Sequence, residues 1–517
     1  MSDQITFYVD PLKVPDESTA KGTKESPFCD LFSAFLAHPP ESRNTPPEFL
    51  ILDAGSAEWR PATKSALKKV VSRYDEHMKK LRKLKEEEDL RQAALVEARK
   101  LVPKFDSSLP APVNLKNFAR HHEHIVLGDE TTTGTRVRII GRVDNIRASK
   151  TRSFVYLTDT RGFLLCIFSD ELNKVIPVLL REQATIEIVG ELKKVPSGNH
   201  APSNRELHVD FYNIIGEAPG GLESFSSKVP ASANQSVLAD LRHLVLRRHE
   251  ESIVMRARAC ALAAFRNYYD QHDMREHTAP SFVQTQVEGG GSLFQVPYYG
   301  QAAYLTQTSQ LYLETQLPVL GDCYTIQSSF RAEKALTRRH LSEYTHIEGE
   351  LDFITFENLL NHIEDLICSV IDTLLTNPES ASYIKTLNPN FKAPSRPFRR
   401  MRYTEAIEWL NKHEIKTDEE KDHIFGDDIA EAAERAMTDS IGVPIMLTHF
   451  PGPIQAFYMK KDAQDSTLTE SVDCLLPNVG EVVGAGMRMD NLEDLLGVMR
   501  ENGWNADAYA FYSDQRK

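Results

Sequence analysis

The chain has 517 residues, of which 41% are hydrophobic and 26% charged, and its formal net charge is -14. That length is too great for one ordinary core and implies about two to four domains. No apolar run is long enough to span a bilayer, and the opening MSDQITFYVDPLKVPDES lacks the basic-then-apolar order of a secretory signal, so the reading is a cytosolic protein with no membrane partner. The six cysteines, Cys29, Cys166, Cys260, Cys323, Cys368 and Cys474, form no close pair of the zinc-binding kind and are expected to be reduced, packed thiols.

In chain order, residues 1–60 are rich in Pro, Ser and Asp without a sustained period, which predicts a small appended unit or a partly flexible one. Residues 61–105 change character. From Lys64 to Lys104 basic residues outnumber acidic ones roughly two to one in a helix-favouring composition. Such a run is either a solvated surface helix or an arm that contacts RNA, and it qualifies the acidic total, which by itself speaks against nucleic acid. Beyond a Pro-rich joint, the segments TRVRIIGRVDNI, SFVYLTDTRGFLLCIFS, ATIEIVGEL and ELHVDFYNIIGEA alternate in polarity and are rich in β-branched residues. With the helical stretch DELNKVIPVLLRE between them, they predict a five-stranded Greek-key barrel of the OB type, or another small β-domain, within residues 125–217. Residues 218–240 read as a linker. Residues 241–517 mix helices and strands: Ile253, Ala257, Ala261, Ala264 and Phe265 recur at helical spacing in a pattern expected to stop at Pro280, and TFENLLNHIEDLICSVIDTLL predicts a further helix.

The stretch QSSFRAEKALTRRHLSEYTHIEGELDF, residues 327–353, carries the densest chemistry. In extended chain, Gln327, Ser329, Arg331 and Glu333 share one face while Ile326, Ser328 and Phe330 share the other. On the returning run His346, Glu348 and Glu350 likewise share a face. The prediction is an antiparallel hairpin with a polar floor, joined by a loop whose Arg338, Arg339 and His340 suit phosphate oxygens. A structural ion-pair network is the alternative.

These residues resemble the second signature motif of class II aminoacyl-tRNA synthetases, an Arg-x-Glu followed by a basic loop and an acidic strand. The helix before Pro280 resembles the first motif, which builds a dimer interface in that class. VQTQVEGGGSLFQVPYYGQAAYLTQTSQLYLE resembles the amino-acid pocket of the aspartate and asparagine branch, whose anticodon-binding domain is an upstream OB-fold. The resemblance runs from about residue 125 to the end and is nearest to the cytosolic, eukaryotic-type, asparagine-specific members. It implies an α+β class II catalytic domain, an antiparallel sheet flanked by helices, preceded by an all-β OB-fold barrel and an N-terminal helical extension. The implied reaction joins asparagine and ATP into asparaginyl-adenylate, then transfers the acyl group to tRNA(Asn).

The resemblance also implies residue roles. Arg331 would hold the α-phosphate, Glu333 the adenine amino group, Arg339 and His340 the outer phosphates, and Tyr344 would stack on adenine. Arg331 and Glu333 would form the catalytic core. Glu288 and Gln310 would anchor the amino acid, and Arg488 would face its side chain. In ESVDCLLPNVGEVVGAGMR, Asp473 and Glu481 would hold Mg2+, Glu481 also serving ATP. Phe154 on the second barrel strand would stack on the central anticodon base, and the region around Pro280 would form a homodimer.

Three departures bear on this reading. The aspartate enzymes have a Lys where this chain has Leu313, and a buried ammonium facing a neutral amide would lack a partner, so Leu313 in the amino-acid site favours asparagine. Leu165 stands where the family uses a Gln to read the central anticodon base, and Leu cannot make that hydrogen bond. The third motif, Gly-x-Gly-x-Gly-x-x-Arg, is absent: the sequence ends AFYSDQRK, and the implied sheet is expected to lack a central strand. The alternatives are therefore an inactive paralogue or fragment that binds tRNA or a protein partner, and an aspartate–tRNA ligase.

Overall fold

The computed structural model describes residues 6–11, 21–24, 26–38, 48–52, 58–98, 100, 104–114, 134–159, 162–230, 232–284, 293–333 and 340–517. The chain divides into two units, residues 1–245 and 246–517.

In the first unit, β1 (Thr6–Val9), β2 (Glu48–Leu52) and β3 (Trp59–Pro61) form a small sheet in that order, with helix α1 (Leu31–Ala37) between β1 and β2 in sequence. Asp30 caps α1 by accepting the Ser33 amide hydrogen at 2.6 Å. Phe7, Phe28, Phe35 and Phe49 supply the apolar core that this Pro-rich region does not advertise by periodicity. Helix α2 (Lys64–Ala98) then spans roughly 50 Å at helical rise. Tyr74 near its start joins the N-terminal core, whereas Leu95 and Ala98 at its end join the barrel core. Between these anchored ends Lys79, Lys80, Arg82, Lys83 and Lys85 are exposed. The basic run is thus a solvated stretch of a helix whose two ends are packed.

The barrel follows with β4 (Val113–Asn114), β5 (Arg136–Ala148), β6 (Arg152–Thr158), β7 (Phe163–Ser169), α3 (Asp170–Leu179), β8 (Thr185–Lys194) and β9 (Arg205–Gly216). Strand order β4-β5-β6-β7-β9-β8, closed by pairing of β5 with β8, gives the five-stranded OB topology with β4 added at one edge. Strict alternation explains why these segments are strands. Val155 and Leu157 point inward against Cys166 and Leu164, and all four are fully buried. Helix α3 is tied to the β5–β6 turn by Asn173, which donates to the carbonyls of Ser149 and Lys150 and accepts from the buried Ser153 hydroxyl at 2.7 Å. At Gly190 a Cβ would lie 2.2 Å from the His208 carbonyl oxygen, so only glycine permits the close approach of β8 and β9 there.

The second unit opens with α4 (His249–Gln271), nine residues shorter at its end than the Pro280 boundary expected from sequence. The chain turns at Asp273, whose φ is 59°, and β10 (Arg275–Glu276) enters a sheet beside β14 (Cys323–Phe330). Sheet pairing ends this helix before proline can. Then come β11 (Phe282–Val283), β12 (Gln295–Tyr298), β13 (Gln301–Leu305) and α5 (Gln310–Leu320), followed by β14 and β15 (Glu343–Glu350). Helix α6 (Phe356–Thr376) starts on a capping box between Thr355 and Asn358. The remainder comprises α7 (Pro378–Leu387), β16 (Arg399–Arg402), α8 (Tyr403–Lys412), α9 (Glu431–Ile441), β17 (Ile445–Thr448), β18 (Ser471–Leu476), β19 (Gly480–Gly486), α10 (Leu492–Glu501) and α11 (Ala510–Ser513).

Instead of one antiparallel sheet, the described residues form separate sheets, chiefly β10-β14-β15 and β16-β17-β18-β19. Their central pairs are antiparallel, as expected. The edge strands β10 and β16 pair in parallel beside them. The apolar face of the β14–β15 hairpin packs Tyr324, Ile326 and Ile347 against Tyr268, Tyr269 and Met274, with Tyr269 and Tyr324 stacked at 4.3 Å. Its polar face is left to the site.

Candidate active site

The hairpin register places Gln327 opposite His346, Ser329 opposite Tyr344 and Thr325 opposite Glu348, so the predicted polar floor exists on one face. Ser329 and His346 are hydrogen-bonded at 3.0 Å. Burial lowers the pKa of His346, opposed by Glu348 and assisted by Arg331. Pairing continues past the end of β14, because the Arg331 amide donates to the Ser342 carbonyl at 3.1 Å. Four predicted residues meet at this end of the hairpin. The Arg331 guanidinium lies 5.6 Å from the Tyr344 ring centre and 4.0 Å from Glu333, and His340 lies 3.1 Å from Glu333. Arg339, predicted beside them, lies outside the described residues, as does Glu288.

A second cluster forms around α5. The Glu348 carboxylate accepts from the Ser309 amide at 2.9 Å and from the Thr308 hydroxyl, which puts a negative charge at the start of that helix. Gln310 follows, and its side-chain amide donates to Glu314 at 3.0 Å. Glu314 is buried among donors: Tyr512 at 3.0 Å, Arg516 at 2.6 Å and Arg488 at 3.4 Å. Arg488 also donates to Glu350 at 2.7 Å and lies 5.2 Å from the Tyr458 ring centre. Burial pushes the Glu350 carboxyl up to about 7, against the pull of Arg488 and with the push of Glu314. Burial opposes the charge of Arg488, yet Glu350 and Glu314 hold its pKa above the usual guanidinium value.

The structure brings the predicted Gln310 and Arg488 together through Glu314, which sequence reasoning passed over along with Tyr512 and Arg516. Leu313, expected in the amino-acid site, has no exposed surface, while its neighbour Glu314 carries the polar chemistry. A signal for Glu314 existed: it stands four residues after Gln310 and is the one charged residue in the helix QLYLETQLPVL. Two buried polar atoms near these groups, Ser309 Oγ on the α5 cap and Gln327 Nε2 on the polar hairpin face, have no hydrogen-bond partner among the described residues. Buried polar atoms are rarely left so, and a polar ligand would satisfy them.

Asp473 on β18 lies opposite Gly484 on β19, and Glu481 lies opposite Leu475, past a register shift between Cys474 and Leu475. A Cβ at Gly484 would lie 3.1 Å from Glu481 Oε1 and 3.4 Å from Asp473 Oδ1, so two carboxylate oxygens border one space that glycine leaves open. Burial and then Glu481, Glu434 and Asp428 raise the Asp473 carboxyl well above its usual range. Among the described residues no group of three or more His, Cys, Asp or Glu is arranged to hold a metal. Two carboxylates nevertheless fit Mg2+, which completes its shell with water and phosphate oxygens.

On the barrel, Phe154 lies half-buried on the outer face opposite Ile167. On the same face Leu165 pairs with Tyr156 on one side and Glu206 on the other, and Glu206 binds His208 at 2.7 Å.

An OB barrel, an Arg-x-Glu hairpin, an acidic pair on adjoining strands and a buried cluster of arginines and glutamates together define a class II aminoacyl-tRNA synthetase. Comparison with known proteins agrees. The family described as tRNA synthetases class II (D, K and N) matches residues 234–517, and the N-terminal domain of asparaginal-tRNA synthetase matches residues 23–110. The chain is 45% identical to the cytoplasmic asparagine–tRNA ligase of Saccharomyces cerevisiae over 99% of its own length and 92% of that protein. Identity to the cytoplasmic asparagine–tRNA ligase of Homo sapiens is 41%, covering 97% of this chain and 90% of that one. Asparaginyl-tRNA synthetase of Entamoeba histolytica, solved in complex with asparaginyl-adenylate, superposes with a TM-score of 0.71 at 38% identity, covering 79% of this chain and 90% of that one. The chain belongs to the class II tRNA synthetases, and within them to the asparagine–tRNA ligases, ATP-dependent enzymes, rather than to the aspartate enzymes.

Proposed function

We propose that this chain activates asparagine with ATP and transfers it to tRNA(Asn) in the cytoplasm, with its site residues acting as follows. The Arg331, Glu333, His340 and Tyr344 cluster receives ATP: Arg331 neutralises charge at the α-phosphate, and Tyr344 offers a ring to the adenine. Catalysis is positioning and charge stabilisation while the asparagine carboxylate attacks the α-phosphorus and pyrophosphate leaves. Asp473 and Glu481 are the residues that would hold Mg2+, whose chemistry is to neutralise ATP phosphate oxygens.

The observation that carries asparagine as the substrate is the pairing of Glu314 with Arg488 beside Gln310. A neutral amide needs one donor and one acceptor, and Arg488 supplies the first and Glu314 the second. An aspartate side chain would instead bring a second carboxylate against Glu314. Phe154 stacks on an anticodon base from the barrel. A homodimer interface near Pro280 is supported by the exposed rings of Phe282, Tyr298 and Tyr299, which contact one another at 4.7–5.2 Å.

The test is exchange of labelled pyrophosphate into ATP by the purified protein with asparagine or aspartate as the only amino acid. Asparagine-dependent exchange at least about a hundredfold above that with aspartate is expected. Equal exchange with the two amino acids would remove the Glu314–Arg488 reading.

A further inference from the structure

We propose that Arg516 and Tyr512 are positioning residues for amino-acid selection, clamping the Glu314 carboxylate so that one of its oxygens stays turned toward Arg488. The inference rests on the reading of Glu314 and Arg488 as the side-chain pocket. Arg516 donates from Nη2 to Glu314 Oε2 at 2.6 Å and to the Tyr512 hydroxyl oxygen at 2.8 Å. Its Nε donates to the Met489 carbonyl at 2.8 Å and its Nη1 to the Tyr512 carbonyl at 3.2 Å. Tyr512 donates its hydroxyl to Glu314 Oε1 at 3.0 Å, and the guanidinium lies 4.1 Å from its ring centre.

Two consequences follow from this geometry. Met489 is the residue after Arg488, so Arg516 ties the pocket's acid to the backbone that carries the pocket's base. Arg516 also balances charge: Glu314 and Glu350 face Arg488 and Arg516, two carboxylates against two guanidiniums. Without Arg516 the buried network carries an uncompensated negative charge, and Glu314 draws Arg488 onto itself and away from an amide oxygen. Selection of asparagine therefore depends on a residue placed behind the acid that meets the substrate.

The experiment measures kcat and KM for asparagine, aspartate and ATP in pyrophosphate exchange for Arg516→Gln, Arg516→Lys, Tyr512→Phe and Glu314→Gln. Arg516→Gln is expected to raise the asparagine KM roughly ten- to a hundredfold, the scale of a lost charge-assisted hydrogen bond, with kcat and the ATP KM changing far less. Its asparagine-to-aspartate ratio falls, and Arg516→Lys recovers part of both effects. Tyr512→Phe raises the asparagine KM about threefold to tenfold. An unchanged asparagine KM in Arg516→Gln, or an ATP KM rising in parallel, overturns the inference. If Arg516→Gln does not fold, an unchanged asparagine KM in Tyr512→Phe overturns it instead. Glu314→Gln separates the two levels: a raised asparagine KM there with none in Arg516→Gln ends the positioning role alone, whereas no change in Glu314→Gln ends the pocket reading and this inference with it.

Discussion

The barrel and the catalytic unit bury different things. The barrel's core cluster is apolar, with Val137, Ile139, Val155, Leu157, Ile186 and Ile188 among its members, side chains whose only demand is removal from water. In the catalytic unit Glu314, Glu350, Arg488 and Arg516 are drawn inside together, each stable only because the others are in place. The difference teaches that the barrel's apolar core serves stability, while the catalytic unit sets beside its own apolar cores a buried charged network that accepts a desolvation penalty, as the proposed recognition role would require.

Substitutions can break that contrast. The largest effect is expected from Arg331→Ala, which should reduce asparagine-dependent pyrophosphate exchange at least about a thousandfold, roughly 4 kcal/mol of transition-state stabilisation, while filter binding of tRNA persists. Normal exchange in this variant would show that the hairpin cluster is structural. Next is Ile186→Ala in the barrel core, fully buried in the native chain. It should destabilise the chain by about 3 kcal/mol in a denaturant titration yet leave exchange unchanged under conditions where the chain is folded. A matching loss of exchange would mean that the two interiors are not separable in this way.

Phe154→Ala should raise the KM for tRNA in aminoacylation by about 2 kcal/mol, roughly thirtyfold, without altering exchange, which needs no tRNA. Smallest is a pH effect. His346 has its pKa depressed below 6.5 by burial, so the folded state resists its protonation. The stability tied to its neutral form is present above pH 6.5 and is lost as pH falls from there through the depressed folded value. His346→Gln should therefore flatten part of the acid-side decline in melting temperature. A decline of unchanged steepness would assign it to other groups, His362 and His449 among them, which burial also depresses.

What could be read from the sequence tracks the same contrast. Strand alternation made the barrel legible almost strand by strand, because a period of two survives wherever one face is apolar. Asparagine as the substrate was legible through Leu313, although the acid of the proposed pocket is its neighbour Glu314. The end of α4 was misread, since Pro280 is a local stop signal and the true stop is the pairing of β10 with β14. The core built by Phe7, Phe28, Phe35 and Phe49 gave no periodic sign, because its members come from separate short elements and a loop.

The sequence by itself determined the OB barrel, the polar hairpin of residues 323–350 and the class of chemistry, since local periodicity and a motif of consecutive residues contain those. Only the tertiary structure decided that Glu314 meets Tyr512 and Arg516, 198 and 202 residues further along the chain, and that Glu350 meets Arg488. Charged side chains show no period and choose partners by distance in space, so the buried network of the proposed pocket becomes visible only once the chain has folded around it.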